Sequence, residues 1–369
     1  MIKLLIVDDS ALMRRQLAAL FEDSPDFEVR LARNGREAVE ENREFRPDVV
    51  TLDINMPEMD GLTALSMIMV ERPVPVVMVS SLTEKGALAT FEALNLGAVD
   101  YVAKPGGTIS LSIDAIKDSL ISKVRVASRA RLKPARSQAG AKPAAAAPSA
   151  RAAKAAPAPP AIYGVPVERP ATGRRRAGGA GVVLIGVSTG GPRTLESILP
   201  FLPANCPWPV LVAQHMPASF TLPFAERMNA LCPLHVVEAS RPMPLTPGTI
   251  YIGKGSADMQ VVERGGKMSV IAKPETKEFL WHPSVELLGR SVLEHYEPEN
   301  VLAVMLTGMG YDGADAFAEI RRKGGRTIAE SEESCVVFGM PAELINRGGA
   351  TVTLPAEKIA LQINAWLGC

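Results

Sequence analysis

Residues 182–192 read VVLIGVSTGGP: four branched or long apolar residues, then glycine, valine and a serine set before two glycines and a proline. A short apolar run closed by turn residues reads as a strand buried on both faces, the kind found in parallel sheets. Pro192 suits the first turn of a following helix. The glycines leave two readings: a cradle for phosphate, or a turn that presents Ser188. A P-loop requires GxxxxGK[ST], but Gly191 is followed by Pro192 and Arg193. A dinucleotide fingerprint requires GxGxxG with an acid about 20 residues further on, and neither is present. The stretch therefore predicts strand, turn and helix, with Ser188 at the turn.

The same plan recurs outward from it. Val210–Ala213 and Val301–Leu306 are further candidate strands. Leu195, Ile198, Leu199 and Leu202 follow a helical spacing. In the N-terminal part the apolar runs are Leu4–Val7, Val49–Leu52, Val74–Val79 and Val99–Val102. Between the first two, Met13, Leu17, Leu20 and Phe21 share one helical face. Strands alternating with helices predict α/β architecture. With 369 residues there is length for two cores. The expected fold class is α/β: two doubly wound parallel-sheet domains, a flavodoxin-like one over 1–125 and a Rossmann-like one over 181–369. Residues 126–180 form the expected linker, rich in Ala, Pro and Arg. Its AKPAAAAPSARAAKAAPAPPA stretch cannot bury a core and reads as a semi-extended, disordered tether. Residues 131–180 carry ten Lys/Arg and one Glu, while the whole chain is formally neutral. Two acidic modules are thus joined by a basic segment.

Charge and composition exclude several classes. Zero net charge gives no bias toward nucleic acid, and the basic segment lacks the aromatic ladder of single-strand binders. The C-terminal half offers no helix-turn-helix or basic recognition helix. No apolar run reaches the roughly 18 residues of a membrane span, and the first strand is too short for a signal peptide. Four cysteines lie far apart without a CxxC, as expected for reduced thiols in the cytoplasm.

Ligands of open parallel sheets gather at the carboxyl ends of the strands. In the C-terminal part Ser188, His215 and Asp312 each lie beyond the end of a candidate strand. Taken singly, a serine before Gly-Gly is an ordinary helix cap, a lone histidine an ordinary packing residue and Asp-Gly an ordinary turn. Taken together they have the composition of a nucleophile, base and orienting acid. Backbone N–H groups near Gly190-Gly191 and in the TGMG loop are candidates for an oxyanion hole. In the N-terminal part Asp8, Asp9, Asp53, Ser80 and Lys104 follow successive strands. Three clustered carboxylates are unfavourable without a cation, and hard oxygen donors suit magnesium.

LLIVDDS (4–10), LDINMPEMDG (52–61), VMVSS (77–81) and YVAKP (101–105) resemble the receiver domain of two-component response regulators. That resemblance implies phosphorylation of Asp53 by a histidine kinase. It implies Mg²⁺ on Asp9, Asp53 and the Asn55 carbonyl, with Asp8 holding a bound water. Ser80 and Lys104 would sense the phosphoryl group, and Tyr101 occupies the place of the aromatic switch. IGVSTGG (185–191), QHMP (214–217), LTGMGYDGA (306–314) and SCVVFGMP (334–341) resemble the catalytic domain of chemotaxis-type protein-glutamate methylesterases. This implies Ser188 as nucleophile, His215 as base and Asp312 as its partner. Thr189 and Met309 would belong to the active-site pocket, Met309 through its backbone N–H. The implied substrate is a glutamate γ-methyl ester on a methyl-accepting chemoreceptor, with receptor glutamine deamidation as the related reaction. No cofactor is implied in the esterase domain, and no nucleic acid or membrane insertion. The alternative is a response regulator whose second domain only binds receptors through a vestigial site.

Two segments depart from that family. The usual GxRHM reads Gly255-Ser256-Ala257-Asp258-Met259, and the usual HRPSV reads Trp281-His282-Pro283-Ser284-Val285. One reading is neutral change on a surface loop. The other is a groove that has lost cationic contacts and fits a different receptor.

Overall fold

The computed structural model describes residues 1–22, 24–80, 83–104, 114–130, 132 and 181–369, apart from the side chains of 84, 114 and 115. Residue 131 and the expected tether from 133 to 180 lie outside the described residues. The first domain runs β1 (Ile2–Val7), α1 (Ala11–Glu22), β2 (Phe27–Ala32), α2 (Gly35–Glu44), β3 (Val49–Asp53), α3 (Gly61–Glu71), β4 (Val76–Ser80), α4 (Glu84–Leu96), β5 (Asp100–Ala103) and α5 (Asp114–Ala127). Its five parallel strands are ordered β2-β1-β3-β4-β5, the flavodoxin-like order. The apolar face expected on α1 is the buried one: Met13, Leu17, Leu20 and Phe21 are all in the core. β2 escaped the sequence reading because FEVRLA is mostly solvated at this sheet edge. β4 starts at Val76 rather than Val74, since Pro75 has no N–H for the ladder. Helix α5 passes the boundary expected at 125 and ends at Ala127, because Val124 and Ala127 both pack into the core.

The second domain continues with β6 (Val182–Val187), α6 (Gly191–Glu196), β7 (Val210–Gln214), α7 (Ala218–Leu231), β8 (His235–Ala239), β9 (Met243–Pro244), β10 (Thr249–Gly253), β11 (Ala257–Arg264) and β12 (Lys267–Pro274). Then come α8 (Val285–Leu293), β13 (Val301–Met305), α9 (Ala314–Arg322), β14 (Arg326–Glu330), α10 (Met340–Asn346), β15 (Val352–Leu354) and α11 (Ala356–Leu367). Seven parallel strands are ordered β15-β14-β13-β6-β7-β10-β8, and β11-β12-β9 form a small antiparallel sheet beside them. The chain places β7, then β8 at the edge with β10 inserted between them, on one side of β6, and then returns to place β13 on its other side. The direction of winding therefore reverses between β6 and β13, where loops diverge and leave a crevice.

Two local expectations change. Leu195, Ile198, Leu199 and Leu202 are all fully buried, but they do not share one helix. α6 stops at Glu196 and a 3₁₀ turn follows over Leu199–Phe201. Pro200 has no N–H and would collide with the preceding turn of a continued α-helix. Gly186 lies inside β6 rather than turning its end. A Cβ there would stand 2.4 Å from Val285 Cγ1, so the glycine is what lets α8 pack closely on the strand.

Candidate active site

β13, β6 and β7 are neighbours at the centre of the sheet, so their carboxyl ends bring the loops of Asp312, Ser188 and His215 onto one edge. Ser188 N–H donates to Thr307 O at 3.0 Å and His215 N–H to Val187 O at 3.1 Å, which ties the three loops together just past the strand ends. Gln214, buried at the end of β7, donates from Nε2 to Ser188 O at 3.0 Å. Gly191 makes room for it, because a Cβ would fall 1.9 Å from Gln214 Oε1. Gly190 has φ +80° and forms the N-cap of α6, a conformation that favours glycine.

His215 Nε2 and Asp312 Oδ2 are 2.9 Å apart, and both side chains are buried. The remaining ring nitrogen, Nδ1, is buried, and no protein acceptor or donor claims it among the described residues. Asp312 is held from the other side by the start of α8. Val285 N–H donates to its Oδ2 at 2.6 Å, and Glu286 N–H and Ser284 Oγ donate to its Oδ1, each at 3.0 Å. Burial favours the protonated acid. The His215 hydrogen bond and these backbone donors outweigh it and hold the Asp312 pKa below the ordinary carboxylate range. The sequence reading missed Ser284. Its signal was a serine directly before an apolar helical pattern, and it is the N-cap of α8, accepting from Leu287 N–H.

The departing segments face each other. Asp258 is completely buried and its Oδ1 lies 2.8 Å from His282 Nδ1. The surface-loop reading fails for Asp258, which lies buried in β11, and both departures meet in one largely buried contact.

In the first domain Lys104 Nζ lies 2.8 Å from Asp8 Oδ2 and 2.7 Å from Asp53 Oδ2. Asp8, Asp9 and Asp53 present carboxylate oxygens within 4.8 Å of one another. Burial pushes the Asp53 carboxyl above its usual range, against the pull of Lys104. Burial also opposes the Lys104 charge, but the two carboxylates outweigh it and raise its pKa. Asn55 follows β3 on the same edge. Ser80 is buried and turned to Gly86 O at 3.2 Å. Tyr101 is buried as well, its ring stacked on Phe220 of α7 with centroids 4.7 Å apart. Burial, with the neighbouring Asp100, pushes the Tyr101 hydroxyl well above its ordinary pKa.

That stacking belongs to a wider contact between the domains. Phe91 of α4 meets Phe220 and Phe224 at 6.2 and 5.4 Å. Thr189, next to Ser188, donates from Oγ1 to Asp100 Oδ2 at 2.7 Å, and both residues are buried. Asp100 Oδ1 also pairs with Lys123 Nζ at 3.0 Å. Ser122 Oγ lies 3.3 Å from Met309 Sδ. The first domain thus touches both residues expected in the pocket around Ser188.

Fold and site together define a class: a response-regulator receiver seated on an effector domain that presents a serine, a histidine and an aspartate where its sheet reverses winding. The response regulator receiver domain model matches residues 4–114 and the CheB methylesterase model matches 183–363. The chain is 53% identical over 367 residues to "Protein-glutamate methylesterase/protein-glutamine glutaminase 3" of Rhodospirillum rubrum, covering 100% of this chain and 96% of that one. It is 48% identical to a protein of the same name, numbered 2, from Rhodopseudomonas palustris, covering 99% of this chain and 98% of that one. The crystal structure of the Thermotoga maritima CheB methylesterase catalytic domain is 39% identical, with a TM-score of 0.48, covering 50% of this chain and 97% of that one. The chain belongs to the protein-glutamate methylesterase/protein-glutamine glutaminase family.

Proposed function

We propose that this chain is a phosphorylation-controlled protein-glutamate methylesterase that also deamidates receptor glutamines, working in the cytoplasm on methyl-accepting chemoreceptors. The observation that carries the esterase reading is the buried His215–Asp312 pair, with Nδ1 left unpartnered, at the strand ends that also carry Ser188. Ser188 Oγ attacks the γ-carbonyl carbon of a glutamate methyl ester while His215 Nδ1 takes its proton. Asp312, held ionised by α8, orients the ring and stabilises the imidazolium that forms. The developing oxyanion is met by backbone donors. Among the described residues, the Met309 N–H has no protein acceptor, and one such donor is worth about 10²–10³ in rate. The proton passes from His215 to the leaving methoxide, and methanol departs. Water, activated by the same nitrogen, then cleaves the acyl-enzyme to glutamate. With a glutamine substrate, ammonia leaves instead.

Control resides in the receiver. Asp53 accepts phosphate from a histidine kinase. The donor set there fits Mg²⁺: three carboxylates converge, one of them wholly buried, and the cluster already draws Lys104 into it. Asp9, Asp53 and the Asn55 carbonyl would hold the ion, with Asp8 behind them. When bound, it would neutralise charge on the incoming phosphoryl group. Contacts of Asp100 with Thr189 and of Ser122 with Met309 support a closed, unphosphorylated state in which a bulky receptor helix is excluded. Phosphate on Asp53 would draw Ser80 and Lys104 toward it and release Tyr101 from Phe220. Methanol release from methylated receptor, with and without phosphodonor, tests the reading. Full turnover by Ser188→Ala would overturn it.

A further inference from the structure

Trp281 stands against the proposed base. Its ring lies parallel to that of His215, with an interplanar angle of 6° and centroids 5.9 Å apart. Tyr311 also meets it, edge-on, at 5.3 Å. Gly310, at φ +88°, leaves the space the indole fills, since a Cβ there would come within 2.8 Å of Trp281 Cζ2. A ring with a single hydrogen bond can pivot about that bond, and an aromatic wall parallel to its plane opposes the pivot. The wall also offers its π-face to the imidazolium that forms when the base takes a proton.

The next residue is anchored to a buried acid. Asp258 Oδ1 takes His282 Nδ1 at 2.8 Å and Ser284 N–H at 3.1 Å, so one buried carboxylate oxygen anchors the strap from 281 to 284 at two points. The strap's first residue packs on the base, and its last donates to Asp312 Oδ1 at 3.0 Å. Both members of the His215–Asp312 pair are thus set by one segment.

We propose that Trp281 is a positioning residue for His215 and that the Asp258–His282 pair holds it in place. This rests on the reading of Ser188 and His215 as nucleophile and base. The two departures then act as one unit: Asp258 and His282 replace two basic residues with an acid–base pair, and that pair orients an aromatic residue onto the catalytic ring.

The test measures labelling of Ser188 in the full-length protein by a small fluorophosphonate, resolving the maximal rate from the half-saturating concentration. Attack by Ser188 expels fluoride and gives its proton to His215, so the maximal rate reads how well the base is placed. Trp281→Ala should lower it about tenfold, with half-saturation changed less than about threefold, and Trp281→Phe should recover most of the loss. His282→Leu should act in the same direction. His282→Asn, which keeps a donor near the Nδ1 position, should restore the rate. Thermal melting identifies any variant that fails to fold, and the Trp281 pair decides the matter if His282→Leu does not. Equal maximal rates for wild type and Trp281→Ala, or a change in half-saturation alone, would overturn the proposal. Undiminished labelling of Ser188→Ala would instead overturn the nucleophile reading beneath it.

Discussion

Asp100→Ala should partly activate the enzyme without phosphate. Asp100 and Thr189 are both buried where they meet, at 2.7 Å across the domain contact. A hydrogen bond to a charged group contributes about 1.5–3 kcal/mol, and its loss leaves the Thr189 hydroxyl buried without its acceptor. In the open state that hydroxyl meets water, so the substitution weakens the closed state selectively. At about 1.4 kcal/mol per factor of ten, the open-to-closed ratio rises roughly ten- to a hundredfold. A protein about 1% open would become about 10–50% open. Methanol release from methylated receptor without phosphodonor should rise with the open fraction, about ten- to fiftyfold. Its further stimulation by phosphodonor should shrink accordingly. Asp100 also accepts from Tyr101 N–H and Lys123 Nζ, so phosphorylation of Asp53 is measured in parallel to establish that the receiver is intact. If Asp100→Ala has wild-type basal activity while removal of residues 1–180 raises it, the contact does not control access and the reasoning fails.

Ser188→Ala should abolish methanol release with little change in melting temperature, and His215→Ala should be about as damaging because the pair acts as a unit. Asp53→Asn should retain basal activity but lose the response to phosphodonor, and EDTA should block phosphorylation of wild type while sparing basal hydrolysis; inhibition of hydrolysis by EDTA in a 181–369 fragment would contradict this. The Asp312 pKa is lowered in the folded state, so its stabilising contribution is present above the ordinary carboxylate value of about 4 and is lost as pH falls through the lower folded value. Urea denaturation of that fragment should therefore show the stability gap between wild type and Asp312→Asn narrowing as the pH drops below about 4. Gly308→Ala would set a Cβ 2.7 Å from Ser188 Cβ and should cut methanol release more than it lowers the melting temperature.

The architecture was legible because buried parallel strands are written as continuous apolar runs and their ends as polar residues. Leu4–Val7 with Asp8-Asp9, and Val182–Ile185 with Ser188, carry both signals within ten residues. Edge strands did not announce themselves. β2 is mostly solvated, and the small sheet of β9, β11 and β12 pairs antiparallel with mixed polarity, so neither shows the continuous run. Boundaries slipped where a single residue overrode the pattern, as with Pro75 before β4 and Pro200 after α6.

The chain by itself determined which candidate residues follow which strands, because strand order along a βα chain leaves few ways to assemble a sheet. Tertiary structure alone decided what surrounds them. Nothing in local sequence couples Thr189 to Asp100, or Asp258 to His282 and through it Trp281 to His215. These partners lie 89, 24 and 66 residues apart in the chain. Their contacts exist only because packing fixes distances that sequence spacing leaves free. The same holds for the ring nitrogen that faces Asp312: a histidine's identity is in the sequence, but its orientation is set by the carboxylate that α8 holds in place.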